Sequence, residues 1–146
     1  MRIMGLDVGD KKIGVAISDS LLITAQGKET LFRESLKVDL DKLINYINEY
    51  DVHKIVVGMP LNMNGSLGPQ GEKTKQFVAK LEKKLIHSTR IDREIEIVYW
   101  DERLTTMGAT RSLIETDMSR KKRKGVVDTV AAVLILQGYL DGNRTV

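Results

Sequence analysis

The hydrophobic period changes along this chain, and that change restricts the fold more than any other feature. Over residues 2–7 and 13–19 the pattern is strand-like, and Ile13, Val15 and Ile17 fall on one face, the period of a half-buried strand. The residues between, Val8-Gly9-Asp10-Lys11-Lys12, read as a hairpin turn. A weaker strand is expected over 29–33, so the chain opens with an antiparallel half-sheet. The spacing then lengthens. Leu40, Leu43, Ile44 and Ile47 follow a helical period behind Asp39 and Asp41, which suit the positive end of a helix. Further on, short apolar strands at 55–57 and 95–99 alternate with helices at 72–85, 105–115 and 126–140. An antiparallel start followed by strands reached through helices predicts an α/β fold, a mixed five-stranded sheet flanked by helices. With 146 residues, one domain spanning 1–146 can bury a substantial core. The 126–140 helix is apolar on most of its circumference, which predicts burial or packing on a partner.

Several function classes fall away. There is no cysteine, hence no disulfide and no thiolate metal site. His53 and His87 lack partners at ligand spacing and read as surface residues. No apolar run reaches the roughly 18 residues of a membrane span. The opening Met1-Arg2-Ile3-Met4-Gly5-Leu6-Asp7 puts a carboxylate where a secretory signal would be apolar. A cytoplasmic protein with no membrane partner is expected.

Acidic residues stand at element ends. Asp7 closes the first strand, Asp101 and Glu102 follow the apolar Val98-Tyr99-Trp100, and Asp128 lies in the first turn of the last helix. Each has a plain structural explanation: a turn cap, a solvated strand end beside Arg103, a helix-dipole partner worth roughly 0.3–1 kcal/mol. If the three places converge, like charges raise one another's pKa unless a cation compensates. Oxygen ligands of this type select Mg²⁺ or Mn²⁺. Such ions promote phosphodiester cleavage. Strand alternation puts Asp101 and Glu102 on opposite faces; Glu102 is the favoured ligand, with Asp101 close behind.

The net charge is +3, but Arg120, Lys121, Lys122, Arg123 and Lys124 supply five positive charges in one run, leaving −2 elsewhere. Such a run is commonly a solvated face. Its position directly before the Asp128 helix suggests an anionic partner held by sequence-blind phosphate contacts. Arg103 and Arg111 could extend that surface. In the 60–69 loop, Asn62, Asn64 and Ser66 could bind phosphate or sugar, or simply shape turns. Trp100 is expected in the core.

Taken together, Gly5-Leu6-Asp7-Val8-Gly9 with Ile13-Gly14-Val15-Ala16-Ile17-Ser18-Asp19, Val57-Gly58-Met59-Pro60-Leu61-Asn62-Met63-Asn64-Gly65, Trp100-Asp101-Glu102-Arg103-Leu104-Thr105-Thr106, and Val127-Asp128 with Ala131-Ala132 and Ile135-Leu136-Gln137 resemble the YqgF, or RuvX-like, family of pre-16S rRNA processing nucleases. The resemblance implies a single RNase H-like nuclease domain related to Holliday-junction resolvases. It implies hydrolysis of phosphodiester bonds in maturing the 5′ end of 16S rRNA, with Asp7, Glu102 (or Asp101) and Asp128 as catalytic carboxylates. Precursor rRNA, or another structured nucleic acid in a ribosomal assembly context, would be the partner of a monomer or homodimer. Three other functions fit parts of the pattern: a DNA junction resolvase with the same chemistry, a non-catalytic RNA-binding module, and an actin-like nucleotide-binding domain. The last rests on Asp7-Val8-Gly9 before the second strand, and it lacks the second domain that would close over a nucleotide.

Overall fold

The computed structural model describes residues 1–104, the backbone of 120–128, and residues 129–143 in full. The helix expected over 105–115, and Arg111 with it, lies outside the described residues. The alternating segments form β1 (Arg2–Val8), β2 (Lys12–Ser18) and β3 (Ala25–Phe32), followed by α1 (Leu36–Glu49), β4 (Val52–Met59), α2 (Pro69–His87) and β5 (Glu96–Asp101). A single 3₁₀ turn, Glu102–Leu104, follows β5, and the last helix, α3, covers Arg120–Gly142.

The five strands make one mixed sheet in the order β3-β2-β1-β4-β5. The β1–β2 and β2–β3 pairs are antiparallel, whereas β1–β4 and β4–β5 are parallel. Gly9 N–H donates to the Lys12 carbonyl (2.8 Å) and closes the first hairpin. The sheet separates two apolar layers. Met4, Leu6, Ile13, Val15, Ile17, Ile55 and Val57 pack with α1 and α2 residues such as Leu43, Ile44, Ile47, Phe77 and Leu81. On the opposite face, Ile3, Ala16 and Val56 pack under Ala131, Ala132, Ile135 and Leu136 of α3. Trp100, partly buried, packs against this second layer and meets the Tyr139 ring edge-on, at the margin of the core it was expected to join.

Several boundaries depart from the sequence reading; β5 runs to Asp101 rather than 99, and α2 covers Pro69–His87 rather than 72–85. β3 begins at Ala25 rather than 29 and stops at Phe32, because Ala25, Gln26 and Gly27 are held by pairing to β2, with Lys28 at a bulge, and by Gln137, whose Oε1 accepts from Ala25 N–H (2.9 Å), instead of by burial. β4 is longer than 55–57; Val52 at its start is buried and paired with Arg2. The last helix starts at Arg120, six residues before the expected 126. The basic run is thus part of the helix and not a segment ahead of it, in keeping with the good helix propensity of Lys and Arg. At α1, Ser35 Oγ accepts from Val38 N–H and sets the start. Pro69 opens α2, where its missing N–H costs nothing. Among the described residues no helix is long and apolar enough to cross a membrane.

Candidate active site

The parallel β1 and β4 run side by side to a common carboxyl end. Leu6 pairs with Val57, so the next residues, Asp7 and Gly58, are neighbours. On its other side Asp7 pairs with Gly14 of β2. Both strand neighbours of Asp7 therefore lack a side chain. Ile3 belongs to the layer beneath α3, and Met4, Leu6 and Val8 to the opposite one. Alternation then puts Asp7 on the α3 face, in a half-buried position.

Gly58 pairs in turn with Trp100 of β5. A Cβ built on Gly58 would lie 3.0 Å from Glu102 Oε1 and 2.3 Å from Ile135 Cδ1. The 3₁₀ turn after β5 thus brings the Glu102 carboxylate back over Gly58, under α3, one strand from Asp7. Asp101 goes the other way. It pairs with Met59 and follows Trp100, and Trp100 belongs to the α3 layer, so alternation turns Asp101 toward the α2 face. Its carboxylate is gripped by Arg103. The Arg103 backbone N–H (2.9 Å) and Nε (3.0 Å) donate to Oδ1, while Nε (3.1 Å) and Nη2 (2.7 Å) donate to Oδ2. These bonds from Arg103 hold the Asp101 carboxyl below its usual range and push the guanidinium further up. Asp101 has little capacity left for a cation.

Asp128 lies on α3 one turn before Ala132, whose carbonyl oxygen would be 3.0 Å from a Cβ on Gly5 of β1. Its side chain, and those of Arg120, Lys121, Lys122, Arg123 and Lys124, lie outside the described residues. Among the described residues no group of three His, Cys, Asp or Glu is set to hold a metal. The donor chemistry of Asp7 and Glu102 nevertheless fits Mg²⁺ or Mn²⁺, since both offer hard carboxylate oxygens on one face.

The 60–69 loop is a small hairpin. Leu61 bridges Leu67, Asn62 N–H donates to the Ser66 carbonyl (2.9 Å), and Gly65 takes φ +86°. Asn62 Nδ2 donates to Ser66 Oγ (3.0 Å), and Asn64 Oδ1 accepts from both Ser66 N–H (3.0 Å) and Ser66 Oγ (2.6 Å). The Asn side chains are engaged in shaping the turn. His87 is exposed, and His53, half-buried, contacts Asp51 near the surface (3.1 Å), as their surface assignment required.

The RuvX family model, described as Holliday junction resolvase, matches residues 1–142. Proteins named "Putative pre-16S rRNA nuclease" are similar over nearly their whole length. The one from Halothermothrix orenii is 55% identical, covering 97% of this chain and 95% of the relative. That from Clostridium tetani is 56% identical over 97% and 96%. The chain belongs to the RuvX family. Its fold is RNase H-like: a Thermus thermophilus RuvC bound to a Holliday junction superposes with a TM-score of 0.61 at 10% identity, covering 99% of this chain and 98% of that one. The yeast mitochondrial Holliday junction resolvase Ydc2 gives 0.53 at 10% identity, over 94% and 77%.

Two features of this RuvX member escaped the sequence reading. Gly58 looks like the plain end of an apolar strand, yet it is the floor over which Glu102 and Ile135 close. A glycine inside a strand is itself the signal of such an approach. The second is the Met63 carbonyl, which accepts from Arg103 Nη1 (3.2 Å) and carries no side-chain signature at all.

Proposed function

We propose that this chain is a single-domain, divalent-metal-dependent endonuclease that hydrolyses phosphodiester bonds in precursor 16S rRNA, in the cytoplasm. The observation that carries the reading is the convergence of Asp7 and Glu102 on one face, over strand neighbours without side chains. The relatives' names supply the substrate class. Asp7, Glu102 and Asp128 would hold Mg²⁺ or Mn²⁺. When bound, such a cation activates water and stabilises the leaving oxygen. Gly58 lets the Glu102 carboxylate close over the sheet one strand from Asp7. The five cations of 120–124 open the helix that carries Asp128, so backbone phosphates met there are delivered beside the acidic site. Arg111 belongs to the same expected surface.

The test is cleavage of a precursor 16S fragment by purified protein with Mg²⁺ or Mn²⁺. Wild type cuts, and Asp7→Asn and Glu102→Gln do not; mutants as active as wild type refute the assignment. The family description and the RuvC fold favour one second reading, a DNA junction resolvase. Cleavage of a four-way junction with the precursor RNA left intact would select it. Symmetric resolution would also require two active sites, and hence a dimer on the junction.

A further inference from the structure

Arg103 follows Glu102 directly, and its side chain sits between two parts of the site. One side grips both oxygens of Asp101, and Nη1 reaches across to the Met63 carbonyl at the tip of the 60–69 hairpin. The hairpin tip lies against it. A Cβ at Gly65 would meet Nη1 at 3.5 Å and Nη2 at 3.7 Å, and Gly65 takes a left-handed φ of +86° that side chains rarely adopt. Asn62, Asn64 and Ser66 bond to one another, and Arg103 ties the hairpin tip to the end of β5. Met63 at the tip is 94% exposed, beside the edge where Asp7 and Glu102 emerge. An arginine there would ordinarily be assigned to phosphate. Here its donors converge on a carboxylate and a carbonyl of the same chain.

We propose that Arg103 is a positioning residue: the Asp101–Arg103–Met63 clamp fixes the 3₁₀ turn that carries Glu102 and the hairpin that walls the site, and Arg103 itself makes no phosphate contact. The inference rests on the nuclease reading for its catalytic consequence, while the clamp itself is testable without substrate. The clamp acts on Glu102 only through its turn; misplacing a catalytic group by 1 Å can cost about 100-fold, so releasing that turn is expected to cost about 10–100-fold in activity or metal affinity. Arg103→Ala therefore lowers kcat on a precursor 16S fragment, and Mn²⁺ affinity measured by calorimetry, within that range. RNA Kd stays within about threefold, and the salt dependence of binding is unchanged, because no phosphate contact is lost. Asp101→Asn reproduces the loss, and the double variant is no worse than Arg103→Ala alone, as expected for one unit. Arg103→Lys keeps the charge but not the fork, and it fails to restore kcat.

Hydrogen exchange supplies the readout that needs no activity. Arg103→Ala speeds exchange of the Asn62 and Gly65 amides about tenfold or more, corresponding to a lost hydrogen bond to a charged group, with the urea midpoint little changed. Three results would each overturn the proposal: unchanged exchange in the hairpin, a wild-type kcat for Asp101→Asn, or weaker RNA binding with a salt slope lower by about one in Arg103→Ala. A wild type that neither cleaves RNA nor binds Mn²⁺ defeats the nuclease reading instead, and the exchange result still decides whether the clamp exists.

Discussion

Gly58→Ala separates the packing of the site from its chemistry. The added Cβ would lie 2.3 Å from Ile135 Cδ1, 2.9 Å from Ile135 Cγ1 and 3.0 Å from Glu102 Oε1. Ile135 is 0% exposed, among Val56, Ala131, Ala132 and Leu136, so Cδ1 cannot swing clear without meeting another buried atom. One methyl forced into a packed layer costs about 1–3 kcal/mol. At roughly 2–4 °C per kcal/mol for a chain near this length, Tm falls by about 2–12 °C. The contact with Glu102 has a different consequence. The carboxylate must yield by a few tenths of an ångström, and since misplacement by 1 Å can cost about 100-fold, a loss of about tenfold in kcat is expected. Ile135→Val tests the division. Alone it costs about 0.5–1.5 kcal/mol; with Gly58→Ala it removes the worst clash, so the double variant is more stable than the sum of the single losses allows. Its kcat stays low, because the Glu102 contact persists. Urea unfolding of the four proteins and single-turnover cleavage give both numbers. Strict additivity in stability, or a wild-type kcat for Gly58→Ala, would refute the close approach of α3 and Glu102 to this glycine.

Two other perturbations follow from buried and clamped carboxylates. Asp39 is 2% exposed and accepts from Arg33 Nε (3.3 Å) and Glu34 N–H (3.1 Å), while Arg33 also donates to the Gly9 carbonyl and lies over the Phe77 ring. Asp39→Ala strands these donors and costs about 1–3 kcal/mol by urea unfolding with m unchanged; a loss below about 0.5 kcal/mol, the usual range for surface changes, contradicts the account. The Asp101 carboxyl is held below its ordinary value of 3.8 by the Arg103 hydrogen bonds. A carboxyl with a depressed folded pKa contributes stability that is present above the unfolded value and lost as pH falls through the folded one. The clamp is therefore closed throughout the neutral range and opens only below pH 3.8; a carboxyl-carbon NMR titration with a midpoint at or above that value would contradict it.

The sheet was readable where one face of a strand is buried and the other is not. Ile13, Val15 and Ile17 announced β2 because alternation is the direct imprint of that geometry. The start of β3 was not readable, since Ala25, Gln26 and Gly27 are held by backbone pairing, and pairing leaves no mark in residue type. The start of α3 was missed for a related reason: charged residues in a first turn look like a solvated loop until propensity is weighed. At the site, position along the chain identified the carboxylates, but it could not tell which side chain a turn would fold back. That choice depends on the 3₁₀ geometry after β5 and on an empty position at Gly58, one strand away.

Asp101 and Glu102 are adjacent, equally acidic and at the same strand end, yet their surroundings give them different capacities. A carboxylate already held by three N–H groups of one arginine, with Nε bridging both oxygens, is committed, and a cation could take it only by displacing a fork that shifts its pKa downward. Glu102 lies over Gly58, on the face of Asp7. The arginine that occupies Asp101 is also the residue that ties the hairpin to this edge. The acidic pair is then best understood as a division of labour, with Glu102 turned toward the cation and Asp101 used to hold Glu102's turn in place. Exchanging the two residues, Asp101→Glu with Glu102→Asp, keeps charge and composition but lengthens the clamp and shortens the ligand. Metal affinity and hairpin protection should fall together in that variant, and a protein that kept either at the wild-type level would show that the two carboxylates are not coupled in this way.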